Sequence, residues 1–230
     1  MRYRHVARGA AVARAGYKRG PGSGLFAAER FPVSIEFSPK SGPTPAPARV
    51  VAFSGSAKRP SRTRVLVEAL GAELGRLRRI DLTVYDLFDA GPGLGVTQRD
   101  ELSEPAARMV DAIEGADALI VGTPVYQGGY AGLFKHVFDF VDPARMVGMP
   151  VALTATGGGL RHALVVEHGL RPLFGFFAAH IAPTSVYAGS DDLVDGRIVD
   201  EGVAARLNAA AAELAALIAV VRPAEAGASG

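Results

Sequence analysis

From residue 50 onward, short apolar runs alternate with longer stretches in which apolar residues return every three or four positions. Val50 to Phe53 is the first such run, and Ser54 and Gly55 close it; Leu66, Leu70, Leu74 and Leu77 then recur at helical spacing over 62–77. Further runs at 80–85, 118–121, 151–155 and 185–188 predict four more strands, most of them bounded by Gly, Pro or Thr. A helix is expected after Ser103, with Glu104 and Pro105 in favourable first-turn positions, and others near 129–141 and 159–178. A last helix carries Val203, Leu207, Ala211, Leu214 and Leu217 on one face. Strand and helix in regular alternation are what a parallel sheet requires, because each parallel neighbour is reached by a long crossover. The chain is therefore expected to be an α/β protein with a doubly wound, five-stranded parallel sheet of order 2-1-3-4-5. Its ligand site should lie at the carboxyl ends of the strands, where the order reverses.

Composition narrows the class. Hydrophobic residues make up 49% and charged residues 21% of the 230, and the pattern shows no apolar run of the roughly 18 to 20 residues that a spanning helix needs, so no membrane association is expected. Of 25 basic and 23 acidic residues, nine and two fall within 1–49, so the remainder is acidic by five. The basic character is terminal, and no nucleic-acid partner is expected from it. Residues 1–48, rich in Arg, Gly, Ala and Pro, are expected to form an extended or disordered tail, 49–222 one domain, and 223–230 a short flexible end. Cysteine is absent, which removes disulfides and cysteine chemistry, and the cytoplasm is the default compartment. The histidines show no metal-ligand spacing, and no Gly-x-Ser-x-Gly elbow occurs.

The loops after strands one, three and four carry the candidate chemistry. The first runs Gly55, Ser56, Ala57, Lys58, Arg59, Pro60, Ser61, Arg62, Thr63, placing hydroxyls, cations and free amides at a helix N-terminus. Such a place suits a phosphate, although Ser61 or Thr63 merely capping the helix explains the same residues. The spacing is not that of a triphosphate-binding Walker loop, so a monophosphate is the better match. The second loop, Thr123 to Tyr130, sets Pro124, Val125 and Tyr126 beside glycines, where a flat ring could lie or a plain turn could form. The third, Thr156, Gly157, Gly158, Gly159, exposes amides without side chains, suited to the polar edge of a flavin or to a loose turn.

Together the stretches 55–63, Thr123 to Tyr126 with Gly132 and Lys135, and Ala155 to Gly158 resemble the NAD(P)H-dependent FMN reductase family, over about residues 49–220. Across 157–172, where Arg161-His162 and Leu170-Arg171-Pro172 follow the glycines, the chain looks most similar to the flavin reductases of two-component alkanesulfonate and methanesulfonate monooxygenases. The resemblance implies a flavodoxin-like homodimer or homotetramer that reduces FMN with NADPH or NADH and releases it to a separate flavin-dependent monooxygenase. By matching positions it implies that Ser56, Lys58, Ser61, Arg62 and Thr63 hold the phosphate. Pro124, Val125 and Tyr126 would border the ring, and Thr156, Gly157 and Gly158 its polar edge. It further implies that His168 lies in a π-bulge at a subunit interface. No acid–base side chain is expected, since hydride transfer needs only alignment. Two other readings use the same loops: a flavoprotein that keeps its FMN and reduces quinones or azo compounds, and a non-enzymatic flavodoxin-like electron carrier.

Overall fold

A computed structural model describes residues 46–222; the expected tails at 1–45 and 223–230 lie outside these. The sheet is built from β1 (Ala48–Ser54), β2 (Ile80–Asp86), β3 (Ala118–Tyr126) and, after a two-residue strand β4 (Gly129–Tyr130), β5 (Pro150–Thr156). Its order is β2-β1-β3-β5, every neighbour parallel, with Val50 opposite both Leu82 and Ala118 and with Leu119 opposite Val151. The order therefore reverses between β1 and β3, as the alternation predicts.

The fifth position differs in detail. Two short strands fill it: β6 (His180–Ile181) pairs with Pro150 and Val151, and β7 (Val186–Ala188) pairs with Thr154 to Thr156. Pro183 lies in the gap and has no N–H for a ladder. The carbonyls of Ala182 and Pro183 instead accept from the Arg171 guanidinium at 3.3 and 3.0 Å.

Alternation along the strands separates two cores. Val51 and Phe53 point to one face, with Phe134, Phe138 and Phe174; Val50 and Ala52 point to the other, with Leu66, Leu70 and Leu74. The first face is covered by α2 (Glu104–Glu114), α3 (Gly132–Asp139), the single turn α4 (Pro143–Met146) and α5 (Arg171–Phe176). The second is covered by α1 (Arg62–Leu77) and α6 (Glu201–Val221). By length and composition α6 could cross a bilayer, although Arg206 and Glu213 interrupt its apolar run. Here Val203, Leu207, Ala210, Ala211, Leu214 and Ile218 are buried against the sheet and α1, so it serves as a core helix.

The segment expected to be one helix over 159–178 is a 3₁₀ turn at Leu160–His162, a π turn at Val166–Leu170 and then α5. Pro172 supplies the reason: it has no N–H to give the carbonyl of His168, and its ring would crowd that oxygen. The helix widens instead, and the Arg171 N–H bonds to Val166 O, five residues back. Glu167 in this turn receives both arms of Arg171, at 2.5 and 3.1 Å, and the Ser185 hydroxyl at 2.6 Å. The Arg171 bonds, reinforced by Ser185, hold its carboxyl at about 2, below the ordinary value of 4.5, despite partial burial. A depressed carboxyl stabilises the fold above its unfolded pKa and ceases to do so as pH falls through its folded one. Thermal melts of Glu167→Gln should therefore lie below wild type at neutral pH and converge with it as pH drops from about 4.5 towards 2.

Candidate active site

The loop between β1 and α1 holds cations whose fates differ. Asp86, fully buried at the end of β2, accepts from Arg59 Nε at 2.8 Å, Arg59 Nη2 at 2.7 Å, Arg64 Nη1 at 2.7 Å and the Phe88 amide at 2.9 Å. Burial alone would raise its carboxyl, but the bonds from Arg59 and Arg64 hold it below the usual carboxylate value. Asp89 takes a further bond from Arg59 at 2.9 Å, and Glu68 one from Arg64 at 2.7 Å. Arg59 and Arg64 are thereby neutralised. Lys58 and Arg62 are exposed, and among the described residues no carboxylate pairs with either. Ser61 caps α1 by accepting the Arg64 amide at 3.2 Å, and the buried Ser56 hydroxyl accepts the Lys58 amide at 3.3 Å. Ser61 is thus a cap, and Lys58 and Arg62 stand beside it without a carboxylate partner among the described residues.

Three contacts tie this loop, β3 and the other two loops together. The buried hydroxyls of Thr63 and Thr156 share a hydrogen bond of 2.6 Å, the Gly55 amide donates to Gly122 O at 2.7 Å, and Pro124 lies opposite Thr156 in the β3–β5 ladder. The ladder hydrogen bonds of β3 and β5 thus continue to the rim of the site. Beyond Pro124, Val125 pairs with Tyr130 and Tyr126 with Gly129 around a two-residue turn in which Gln127 and Gly128 have φ of 49° and 80°. Such a turn makes a tight, right-twisted hairpin. It presents Tyr126 to solvent at 47% exposure, while Pro124 is buried beneath.

The glycine loop is more differentiated than its sequence. Gly157 donates its N–H to Ala188 O at 3.1 Å, and a side chain on it would meet the Tyr187 hydroxyl at 2.3 Å. Tyr187 in turn donates to Gly159 O at 2.7 Å, and burial raises its phenol above the ordinary value. Gly157 is glycine because of Tyr187, whereas Gly158 is exposed with open space around its α-carbon. Among the described bonds neither the Gly158 nor the Gly159 N–H has a backbone acceptor, so these two amides are the free ones. Asp86 and Tyr187 escape a reading of the sequence, since each works on residues far away along the chain.

His168 is exposed within the π turn and lines a groove of about 470 Å³ with Gly128 to Tyr130, Arg161 and His162. Leu164 and Phe176, 64% and 73% exposed, flank the same segment. A second cleft, of about 430 Å³ and mostly apolar, lies between Ala57, Phe88, Pro92 and Leu133. Free cations at a helix N-terminus, an adjoining aromatic hairpin and open backbone amides across from it suit a flavin mononucleotide, one group for each part of that molecule.

Residues 48–192 match the family described as NADPH-dependent FMN reductase. An FMN reductase (NADPH) of Pseudomonas aeruginosa is 48% identical over 172 residues, 74% of this chain and 92% of its own length. The NADH-dependent FMN reductase SfnF of Pseudomonas fluorescens is 47% identical over the same extent. Among solved structures, an oxidoreductase from Corynebacterium diphtheriae superposes with a TM-score of 0.64 at 30% identity, covering 76% of this chain and 98% of its own. The apo form of an NADH:FMN oxidoreductase, EmoB, gives 0.64 at 29% identity over 74% and 89%. An archaeal flavodoxin, at 12% identity and a TM-score of 0.51, shares the fold alone. The chain belongs to the NADPH-dependent FMN reductase family, as a flavodoxin-like oxidoreductase that reduces FMN with NADPH or NADH.

Proposed function

We propose that FMN is gripped by its phosphate at residues 55–63 and that its ring rests between 124–126 and 156–159. The observation that carries this reading is the Thr63–Thr156 hydrogen bond with the Pro124–Thr156 register, which makes one rim of three loops. Lys58 and Arg62 meet the phosphate charge, and Ser56, Ser61 and Thr63 keep the loop in shape beneath it. Pro124, Val125 and Tyr126 border the ring from the β3 side. Thr156 and Gly157 form the floor, and the amides of Gly158 and Gly159 face the ring's polar edge, where donors favour added negative charge. Bound FMN supplies a hydride acceptor at N5 for the nicotinamide C4. The protein contributes alignment and exclusion of water, with no side chain required to move a proton.

We further propose that the reduced flavin leaves for a separate flavin-dependent monooxygenase of organosulfonate desulfonation. The likeness of residues 157–172 to such reductases supports this. The exposed apolar residues Leu164 and Phe176 beside His168 suit a homodimer or homotetramer in the cytoplasm, where reduced nicotinamide nucleotides are made.

Steady-state oxidation of NADPH and of NADH with FMN, FAD and riboflavin tests the central reading. Arg62→Ala is expected to raise the KM for FMN about tenfold, the worth of one charge-assisted bond, and to leave riboflavin unaffected. Equal losses with both flavins would place the phosphate elsewhere. Flavin that stays with the protein through gel filtration would count against release to a partner.

A further inference from the structure

We infer that Tyr187 is a positioning residue for flavin reduction: its hydroxyl clamps the Gly157–Gly159 backbone, so that the open amides of that loop stay aimed at the polar edge of FMN. This rests on the ring placement proposed above and adds the group that sets the loop's shape. The loop has little of its own to hold it. Gly158 and Gly159 carry no side chains, nothing lies within 4 Å of where a side chain on either would stand, and neither N–H has a backbone acceptor among the described bonds. Left alone, such a backbone samples many conformations. Tyr187 constrains it at two points. Its hydroxyl lies 2.3 Å from where a Cβ on Gly157 would be, and it donates to Gly159 O at 2.7 Å. One side chain therefore brackets the exposed Gly158.

The tyrosine is itself well held. Its backbone lies opposite Ala155 in the β5–β7 ladder, and its ring packs against the core that contains Phe134 and Phe174. The next residue, Ala188, accepts the Gly157 N–H at 3.1 Å, so strand and side chain grip the loop together. Burial holds the phenol above its ordinary value, and the hydroxyl keeps its proton throughout the neutral range. Arg62 stands near enough to oppose that rise, which sets the clamp beside a cation given to the phosphate. Reduction adds negative charge to the ring's polar edge, and donors already in place meet it without reorganising. Loss of the clamp should therefore weaken the reduced form more than the oxidised one, whereas a role confined to folding would weaken both alike.

In the full chain, Tyr187→Phe removes one oxygen and keeps the ring. Tyr85→Phe is the control, since that tyrosine packs on the same core and its hydroxyl makes no hydrogen bond among the described residues. Dissociation constants for oxidised FMN and, without oxygen, for reduced FMN are measured beside the midpoint potential of the bound flavin and thermal melts. For Tyr187→Phe the expected loss is about tenfold for reduced FMN and about twofold for oxidised FMN. That difference of about fivefold lowers the potential by about 20 mV, at about 30 mV per tenfold for two electrons. Melting should stay within about 4 °C of wild type, and Tyr85→Phe should match wild type in every reading. Equal losses for the two forms, or none, leave the potential unchanged and overturn the inference. A second comparison reads the bracket directly: Gly157→Ala should melt lower alone than in a Tyr187→Phe background, where the oxygen its methyl would strike is gone. Equal or reversed melting overturns the bracket. Gly158→Ala tests the ring placement separately: unchanged FMN binding there sinks the placement and this inference with it. Weakened binding in Gly158→Ala, with an unchanged potential in Tyr187→Phe, sinks the inference alone.

Discussion

Asp86→Asn should raise the dissociation constant for FMN about tenfold and lower the melting temperature by roughly 5 °C, about 2 kcal/mol for a domain of this size. The carboxylate is fully buried and accepts both arms of Arg59, one of Arg64 and the Phe88 amide, and an amide group of equal volume cannot accept all four. Arg59 would then be released from the β2 end, and the 55–63 loop would lose the anchor that holds it against the sheet. Fluorescence titration with FMN and thermal melts read the two effects. A pH series adds the sign: the carboxyl is held below its ordinary 3.8, so the wild-type advantage is full above that value and fades as pH falls beneath it. If Asp86→Asn binds FMN as wild type does, the sorting of cations by Asp86 has no part in the site.

Gly55→Ala is the second large effect, expected to remove about 2 to 3 kcal/mol of stability and most FMN binding. A methyl group there would lie 2.6 Å from Phe134 Cβ and 2.6 Å from its Cδ2. Phe134 cannot turn away, because the first of these atoms is fixed to its backbone and the ring stacks on Phe53 at 5.7 Å and tilts against Phe138 at 5.1 Å. Either the phosphate loop lifts or α3 moves off the sheet. Gly158→Ala is the informative contrast, because the space around it is open and the fold should melt as wild type. Urea denaturation of both variants, beside FMN titration, separates loss of fold from loss of site. Equal stability for wild type and Gly55→Ala would show that the close approach of β1's loop to α3 is not enforced.

Much of this architecture is legible in the chain because its signals are local. The predicted helix over 62–77 is α1 residue for residue, since Ser61 caps it and its leucines repeat at a single period. The order of elements also places the three loops together, because a parallel sheet admits few windings and its order reverses at one place. The interruption after residue 165 is visible only through the family resemblance, which implies a π-bulge at His168, where the π turn Val166–Leu170 lies. Pro172 is plain in the sequence, but only a helix that continues past it, held by Glu167, Arg171 and Ser185, turns a proline into a π turn and not a break.

Sequence by itself determined that three loops rich in hydroxyls, glycines and cations stand at one end of a doubly wound sheet. Only the tertiary structure decided which of those groups are free to act. Arg59 and Arg62 are alike as residues, yet Asp86, 27 positions beyond Arg59, takes one and leaves the other. Gly157 and Gly158 are alike too, yet Ala188 and Tyr187 occupy the first and leave the second open. The reason is physical: hydrophobic period and turn chemistry act between near neighbours, whereas the partner that neutralises a charge or satisfies an amide is delivered by strand pairing across the fold.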